Sequence, residues 1–381
     1  MSEHARRRSL GERAVDLAGL PHRRGAPRSG PAADGRPPEA CDVLVVGSGA
    51  AALSAATAAL DAGASVVICE KAAVVGGTTA CSGGVAHVYA NGFMAEEGID
   101  DPRADALAYM ARVGYPTLYD PDAPRLGLEA DDYAQLEAYY DRGAGVMDAL
   151  AAAGAVRMAA PWRMWDGTPF PDYYEFEENK APRGRGLQCL APGGGAGNGA
   201  ELVRQLLDFC RSRGSEARLG HRVVDLLVTD GAVRGAVVDD GRACRRIEAR
   251  GGVVFGSGGF AHSPELRHRF LRGPIAGGSG VATNTGDLVP LAVRAGATLG
   301  AMHNGWWNQQ VAEALDDDAP SVLDVWSVPG DGMVLVNRLG ARVVDEKREY
   351  ETRGRAHHVF SGDEYVNRVL FMVYDRRTAA R

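Results

Sequence analysis

The sequence predicts an α/β fold built on a Rossmann-like βαβ unit, and three observations carry that prediction. The apolar run Asp42-Val43-Leu44-Val45-Val46 reads as a buried strand. It runs into Gly47-Ser48-Gly49-Ala50-Ala51-Ala52, a glycine turn that opens a helix. A second apolar run, Ser65 to Cys69, ends at the acid Glu70, 23 residues after Gly47. Strand, glycine turn, helix, strand and acid at this spacing are the parts of a dinucleotide-binding unit.

Each part has a physical task. Gly47 lets the chain leave the strand in a tight turn. Gly49 has no Cβ, so the backbone can approach a pyrophosphate. Ala52 stands where a third glycine is usual, and its methyl still permits close helix–strand packing. Ala50 to Ala62 reads as a helix, with Leu53, Ala56 and Leu60 on one face and Gly63 as its stop. Its first turn, with Ser48, Ala50 and Ala51, offers N–H groups and partial positive charge to phosphate. The Glu70 carboxylate can accept from both ribose hydroxyls and repels a 2′-phosphate, so FAD or NAD fits better than NADP. Lys71 is grouped with it as a cofactor-side residue. The alternative is a βαβ unit with no ligand.

The next segment selects between the two cofactors. Gly76-Gly77-Thr78-Thr79-Ala80-Cys81-Ser82-Gly83-Gly84 holds four glycines and three hydroxyls in nine residues. That composition makes a poor strand or helix and a good backbone cradle for phosphate and a flat ring. In isolation it reads as a surface loop; directly after a ribose-binding acid it reads as part of an FAD site.

These motifs, with Val254-Phe255-Gly256-Ser257-Gly258-Gly259-Phe260, Thr283-Asn284-Thr285-Gly286-Asp287 and Val336-Asn337-Arg338-Leu339-Gly340, resemble the FAD-dependent fumarate reductase / 3-ketosteroid dehydrogenase superfamily from about Cys41 onward. The resemblance implies a glutathione-reductase-like FAD domain over residues 41–300 and a partial α+β substrate cap over 301–381. It implies that the Val223 backbone meets adenine and that Gly258 and Asp287 join the cofactor shell. Members that bind FAD covalently carry a histidine where this chain has Gly77, so the flavin is expected to be noncovalent.

The remaining elements follow in order. Ala104 to Gly154 has helical patterning, with Leu107, Met110, Leu136, Tyr139, Tyr140, Val146 and Leu150 as apolar contacts. Arg157 to Arg185 reads as an irregular excursion. A glycine loop, Gly193 to Gly199, precedes a helix over Ala200 to Arg213. Val223 to Thr229 and Ala232 to Asp239 read as strands joined at Asp230-Gly231. Gly252 to Gly259 reads as a buried strand, and a helix follows Gly286-Asp287 to about Ala295. Met333 to Val336 and Ala341 to Val344 read as a hairpin, and Leu370 to Asp375 as a further strand.

The resemblance also frames the chemistry, in which a hydride passes between a substrate CH–CH bond and flavin N5 while a side chain moves a proton. An apolar, ketosteroid-like ketone is the first expectation. Tyr115 and Tyr119 are the candidate acid–base tyrosines, and Trp306, Trp307, Trp326 and Tyr350 could line an apolar slot or serve as core. The alternative is fumarate or organic-acid reduction, for which Arg353 is the nearest match to a proton-donating arginine; its other reading is a solvated charge. The histidine-proline of the reductases is replaced by Asn304-Gly305-Trp306-Trp307-Asn308-Gln309, which fits that alternative less well. A third reading is a silent FAD-binding remnant, or one part of a split enzyme, because the C-terminal complement of the flavin site is expected beyond Arg381.

Composition bounds the rest. With 45% hydrophobic and 24% charged residues, the 381-residue chain suits a globular α/β protein of two domains. A net charge of −7 argues against nucleic acid as partner; a small-molecule substrate and an electron acceptor are expected instead. No apolar run is long enough to span a bilayer. Six scattered cysteines with no C-x-x-C pair point to a cytoplasmic setting without disulfides or a metal site. Residues 1–40, rich in arginine and proline, read as a disordered tail.

Overall fold

The computed structural model of the chain describes residues 38–158, 163, 167–172, 176–275, 277–312 and 332–379. The expected disordered tail lies outside these residues, as does Trp326, apart from the few tail residues from position 38 on.

The first unit forms as β1 (Glu39–Val46), α1 (Ala50–Asp61) and β2 (Val66–Cys69). A single helical turn, α2 (Gly77–Ala80), follows, then β3 (Ala86–His87), α3 (Gly92–Glu96), α4 (Arg103–Gly114), α5 (Ala130–Ala152) and β4 (Gly186–Leu187). The chain returns through α6 (Gly199–Ser212), β5 (Ala217–Arg218), β6 (Arg222–Thr229), β7 (Ala232–Asp239) and β8 (Cys244–Phe255). Beyond it lie α7 (Pro264–Phe270), α8 (Leu288–Arg294), β9 (Met333–Val336), α9 (Tyr350–Arg355), β10 (Phe360–Ser361), β11 (Glu364–Tyr365), β12 (Phe371–Tyr374) and α10 (Arg376–Ala379).

One six-stranded sheet, in the order β5-β2-β1-β8-β7-β6, organises the molecule. β5, β2, β1 and β8 are parallel, and β7 and β6 extend the sheet antiparallel. Alternation along each strand divides the core. Val45 and Ile68 pack with Leu53 and Ala56 of α1 and with Val203, Leu206 and Cys210 of α6. Leu44, Val46, Val67 and Cys69 point the other way, onto Val223, Ile247 and Leu291. A separate cluster of Tyr89, Leu107, Tyr109 and Met110 holds α4 against the chain before it.

Several expectations change. The glycine loop is not all loop: Gly76 enters the left-handed region (φ +107°) and Gly77–Ala80 closes one helical turn. β8 starts at Cys244 rather than Gly252, because one strand pairs antiparallel with β7 and then parallel with β1. Ala341 to Val344 form no strand; only Arg342 bridges Val336, and β9 takes β12 as its partner. Tyr139 and Val146 are exposed rather than core. The β6–β7 turn is as expected, with positive φ at both Asp230 (52°) and Gly231 (73°), the conformation that twist-matched two-residue turns demand.

Candidate functional site

The C-terminal ends of β1, β2 and β8 open onto a cavity of about 550 Å³. This is where ligands sit in open α/β sheets, outside the carboxyl edge of the parallel strands. Of the sequence-predicted residues, Gly47, Ser48, Gly49, Ala50, Ala51, Glu70, Lys71, Gly77, Thr78, Thr79, Val223, Gly258 and Asp287 all line it.

The glycine turn is shaped by contacts that exclude side chains. Gly47 has φ +107°, and a Cβ there would meet the Gly256 carbonyl oxygen at 2.5 Å. The missing third glycine has a counterpart across the sheet. A Cβ on Gly256 would fall onto Ala52, 2.7 Å from its methyl, so α1 and β8 approach closely because position 256 is bare. Gly258 is similar, with a Cβ meeting Asn284 Oδ1 at 2.6 Å.

The acid is aimed by the loop that follows it. Glu70 is buried; its Oε2 accepts from Ser48 Oγ at 2.6 Å and its Oε1 from the Ala72 amide at 2.7 Å. Ser48 Oγ accepts in turn from the Gly76 amide at 2.9 Å. A carboxylate has about four acceptor positions, so both oxygens keep capacity for a ligand's hydroxyls. The two threonines fix the loop: Thr79 Oγ1 accepts from the Ala50 amide at 3.0 Å, and Thr78 Oγ1 accepts from Asn284 Nδ2 at 2.8 Å.

Cations also line the cavity. Lys71 donates to Thr285 Oγ1 (2.8 Å) and Asp287 Oδ2 (3.1 Å), while Arg222 grips Asp287 at 2.8 and 2.9 Å. Burial works to raise the Asp287 carboxyl, but the Arg222 hydrogen bonds and the Lys71 charge outweigh it and hold it below its usual value. Two cations against one carboxylate leave a net positive charge on this part of the cavity wall. The sequence reading did not name Arg222; its signal was a basic residue directly before Val223.

Gly76, Ser82, Gly83 and Gly84 stand behind the cavity rather than on it. Ser82 Oγ donates to the Thr79 carbonyl at 2.8 Å, the Ser82 carbonyl accepts from Gly199 at 3.0 Å, and the Gly83 carbonyl accepts from Gln188 Nε2 at 3.0 Å. A Cβ at Gly84 would strike the Asn198–Gly199 backbone. This half of the loop is therefore clamped to the start of α6.

The same loop leads to a second, smaller cavity of about 280 Å³, whose walls include Val85, His87, Phe170, Asp172, Trp306 and Tyr350. Trp306 and Tyr350 thus do face a slot, joined by an indole-to-hydroxyl hydrogen bond of 2.7 Å. Trp307 instead packs on His358, with ring centroids 4.4 Å apart. Neither Tyr115 nor Tyr119 lines either cavity, because the chain turns after α4 and carries both toward acids. Tyr115 donates to Asp132 Oδ1 at 3.1 Å, and burial together with that carboxylate pushes its phenol up to about 12. Tyr119 is raised by burial and by Glu178. Arg353 is not a solvated charge: it is 0% exposed, with Nε donating to the Arg348 carbonyl (3.1 Å) and Nη1 to Gln309 Oε1 (3.0 Å). Burial pushes its guanidinium down. It lies one turn beyond Tyr350 on α9.

All six cysteines are free thiols, and among the described residues no helix is long and apolar enough to cross a membrane.

A family model described as "FAD binding domain" matches residues 42–375. The chain is 27% identical to 3-oxosteroid 1-dehydrogenase of Mycolicibacterium smegmatis (84% of this chain, 64% of that protein). It is 29% identical to 4-oxocyclohexanecarboxylate 2-dehydrogenase of Sinomonas cyclohexanicum (84% and 61%) and to fumarate reductase (cytochrome) of Shewanella frigidimarina (81% and 48%). It therefore spans about half to two thirds of the length of these curated relatives. The solved 3-ketosteroid delta1-dehydrogenase from Sterolibacterium denitrificans has a similar fold, with TM-score 0.67 at 23% identity over 89% of this chain and 69% of that one.

Proposed function

The chain belongs to the FAD-binding-domain family, whose match covers residues 42–375, and on that premise we propose that it is a noncovalent FAD-dependent oxidoreductase acting on a CH–CH bond of a steroid-like or other apolar ketone. The observation that carries the cofactor half is the aimed Glu70, with Ser48 and the Ala72 amide on its two oxygens, in the same cavity where Lys71 and Arg222 flank Asp287. Glu70 holds the ribose, the Val223 backbone meets adenine, and Lys71, Arg222 and the start of α1 neutralise pyrophosphate. Gly76, Gly77, Thr78, Thr79, Ser82, Gly83 and Gly84 hold the flavin end, with Gly258 admitting close approach of the backbone. Bound FAD supplies the hydride acceptor. Gly77 offers no nucleophile, so no covalent link to the flavin forms. The ketone half is supported by the dehydrogenases among the relatives and by the second cavity, where Val85, Phe170, Pro171 and Trp306 give apolar surface beside His87 and Asp172. Residues 41–300 serve as the FAD domain and those from 301 as part of a substrate cap. The setting is the cytoplasm, which the six free thiols favour.

Organic-acid reduction is a second reading, favoured by the buried Arg353, which reaches His357 through Gln309 (3.0 and 2.9 Å). The visible spectrum before and after acid precipitation tests the cofactor assignment, and anaerobic bleaching by cyclic ketones or reoxidation by fumarate separates the two chemistries. Flavin absorbance that leaves with the supernatant and is bleached by a ketone is the expected result. Flavin in the pellet overturns noncovalent binding. A colourless protein that takes up no FAD is a silent remnant.

A further inference from the structure

We propose that Asn284 is a positioning residue for the cofactor: its side-chain amide occupies an acceptor position of the Thr78 hydroxyl, so that this hydroxyl turns its proton into the FAD cavity and donates to an acceptor atom of bound FAD. This rests on the FAD reading above and deepens it. Three observations support it.

The first is the hydrogen bonding of one atom. A hydroxyl has two acceptor positions and one proton. Thr78 Oγ1 accepts from Asn284 Nδ2 at 2.8 Å and, more loosely, from the Val281 amide at 3.3 Å. Both acceptor positions are thereby taken by N–H groups. The proton is what remains to offer, and among the described residues no protein acceptor takes it. Thr78 and Asn284 both line the cavity, so a ligand atom that meets this hydroxyl is met by a donor. The adjacent threonine is used differently: Thr79 Oγ1 accepts from the Ala50 amide and secures the first turn of α1.

The second is the space made for this contact. A Cβ on Gly280 would stand 2.8 Å from Thr78 Oγ1 and 3.0 Å from Asn284 Nδ2, and a Cβ on Gly258 would stand 2.6 Å from Asn284 Oδ1. Both positions are bare where the amide and the hydroxyl meet. The third is the hold on Asn284 itself. Its carbonyl accepts from the His262 amide at 3.0 Å, and its own amide donates to the Val281 carbonyl at 2.9 Å. The His262 ring reaches back to the Gly280 carbonyl, with Nε2 at 2.9 Å, so one residue ties down both ends of the 280–284 loop. A donor held in place before the ligand arrives spares the ordering cost on binding.

The test is titration of the purified full chain, freed of flavin, with FAD by flavin fluorescence and with ADP by calorimetry. Thr78→Val keeps the shape and removes the hydroxyl; it should weaken FAD binding about tenfold, the loss of one hydrogen bond to a polar group. Thr78→Ser keeps the hydroxyl and should restore the affinity. Asn284→Asp replaces the amide donor with a carboxylate that only accepts, so it draws the Thr78 proton away from the ligand and should also weaken FAD binding. Its loss should be smaller in a Thr78→Val background, where there is no proton to redirect, whereas simple charge repulsion would cost the same in both. An equal loss from Thr78→Val for ADP places the acceptor on the pyrophosphate, and a loss for FAD alone places it on the flavin half. An affinity for FAD within about twofold of wild type in Thr78→Val overturns the donor role. Equal weakening by Thr78→Ser and Thr78→Val overturns it as well, and an undiminished Asn284→Asp loss in the Thr78→Val background overturns the action of Asn284 through Thr78. The two readings fail separately: a wild-type chain that takes up no FAD sinks the cofactor reading and this inference with it, whereas one that holds FAD no better than Thr78→Val sinks this inference alone.

Discussion

Replacing Arg185 with Met tests the charge network under the second cavity most directly. The guanidinium is 0% exposed, makes two bonds to Asp101 and one to Asp172, and lies 4.4 and 5.0 Å from the ring centroids of Tyr89 and Tyr109. Met fills a similar volume but strands two buried carboxylates. Removing one partner of a buried ion pair costs about 3–5 kcal/mol, and two lost cation–π contacts add about 1 kcal/mol or more. The expected loss is therefore roughly 4–6 kcal/mol, a large part of the 5–15 kcal/mol typical of a folded protein. Urea denaturation at pH 7 should show it as a lower midpoint with little change in slope. A triple variant that also carries Asp101→Asn and Asp172→Asn should recover much of the loss, because neutral groups need no counter-charge. A deficit below about 1 kcal/mol, or a triple variant no better than Arg185→Met, refutes this account.

Three further perturbations address the FAD cavity. Ser48→Ala removes the bond to Glu70 and strands the buried Gly76 amide; at about 1–3 kcal/mol it should weaken FAD binding roughly 5- to 150-fold in a flavin fluorescence titration, and an unchanged Kd would refute the aiming of Glu70. Gly47→Ala should abolish FAD retention and lower Tm, whereas Gly63→Ala, also at positive φ (84°) but with nothing near its Cβ, should cost only about 1 kcal/mol; equal losses in thermal melts would exclude the Gly256 contact as the cause. The depressed Asp287 carboxyl contributes stability that is complete above its unfolded value of about 4 and is lost as pH falls through its lower folded value, so wild-type Tm should drop through that acid window more steeply than that of Asp287→Asn.

The cofactor half was legible because its signals are local. Gly47, Gly49 and Glu70 lie on one continuous stretch, and their spacing follows from the length of one helix and one strand. What stayed hidden depends on pairing across long separations. β8 was read from Gly252 because Cys244 to Gly251 carries charged residues that are acceptable only beside β7. The partner of β9 was taken from the nearest downstream run, yet it is β12. Arg353 looked solvated because its neighbours are charged; Gln309, 44 residues upstream, is among the partners that receive its guanidinium inside the fold. His87, Asp172 and Arg185 gave no signal, since nothing in their spacing shows that one short pairing of β3 with β4 sets His87 opposite Gly186.

The contact between Ala52 and Gly256 fixes when the nucleotide site can exist. The fingerprint is complete in the first third of the chain, but the cavity it serves has Phe255 and Gly256 as another wall, and β1 pairs with residues some two hundred positions later. Such long-range pairing forms late, because its loop-closure cost must be met before its contacts are gained. The emerging chain therefore carries a finished recognition motif and no binding site. FAD can enter only after β8 has docked against β1, which makes cofactor capture a report on the last strand to arrive in the parallel sheet rather than on the motif that announces it.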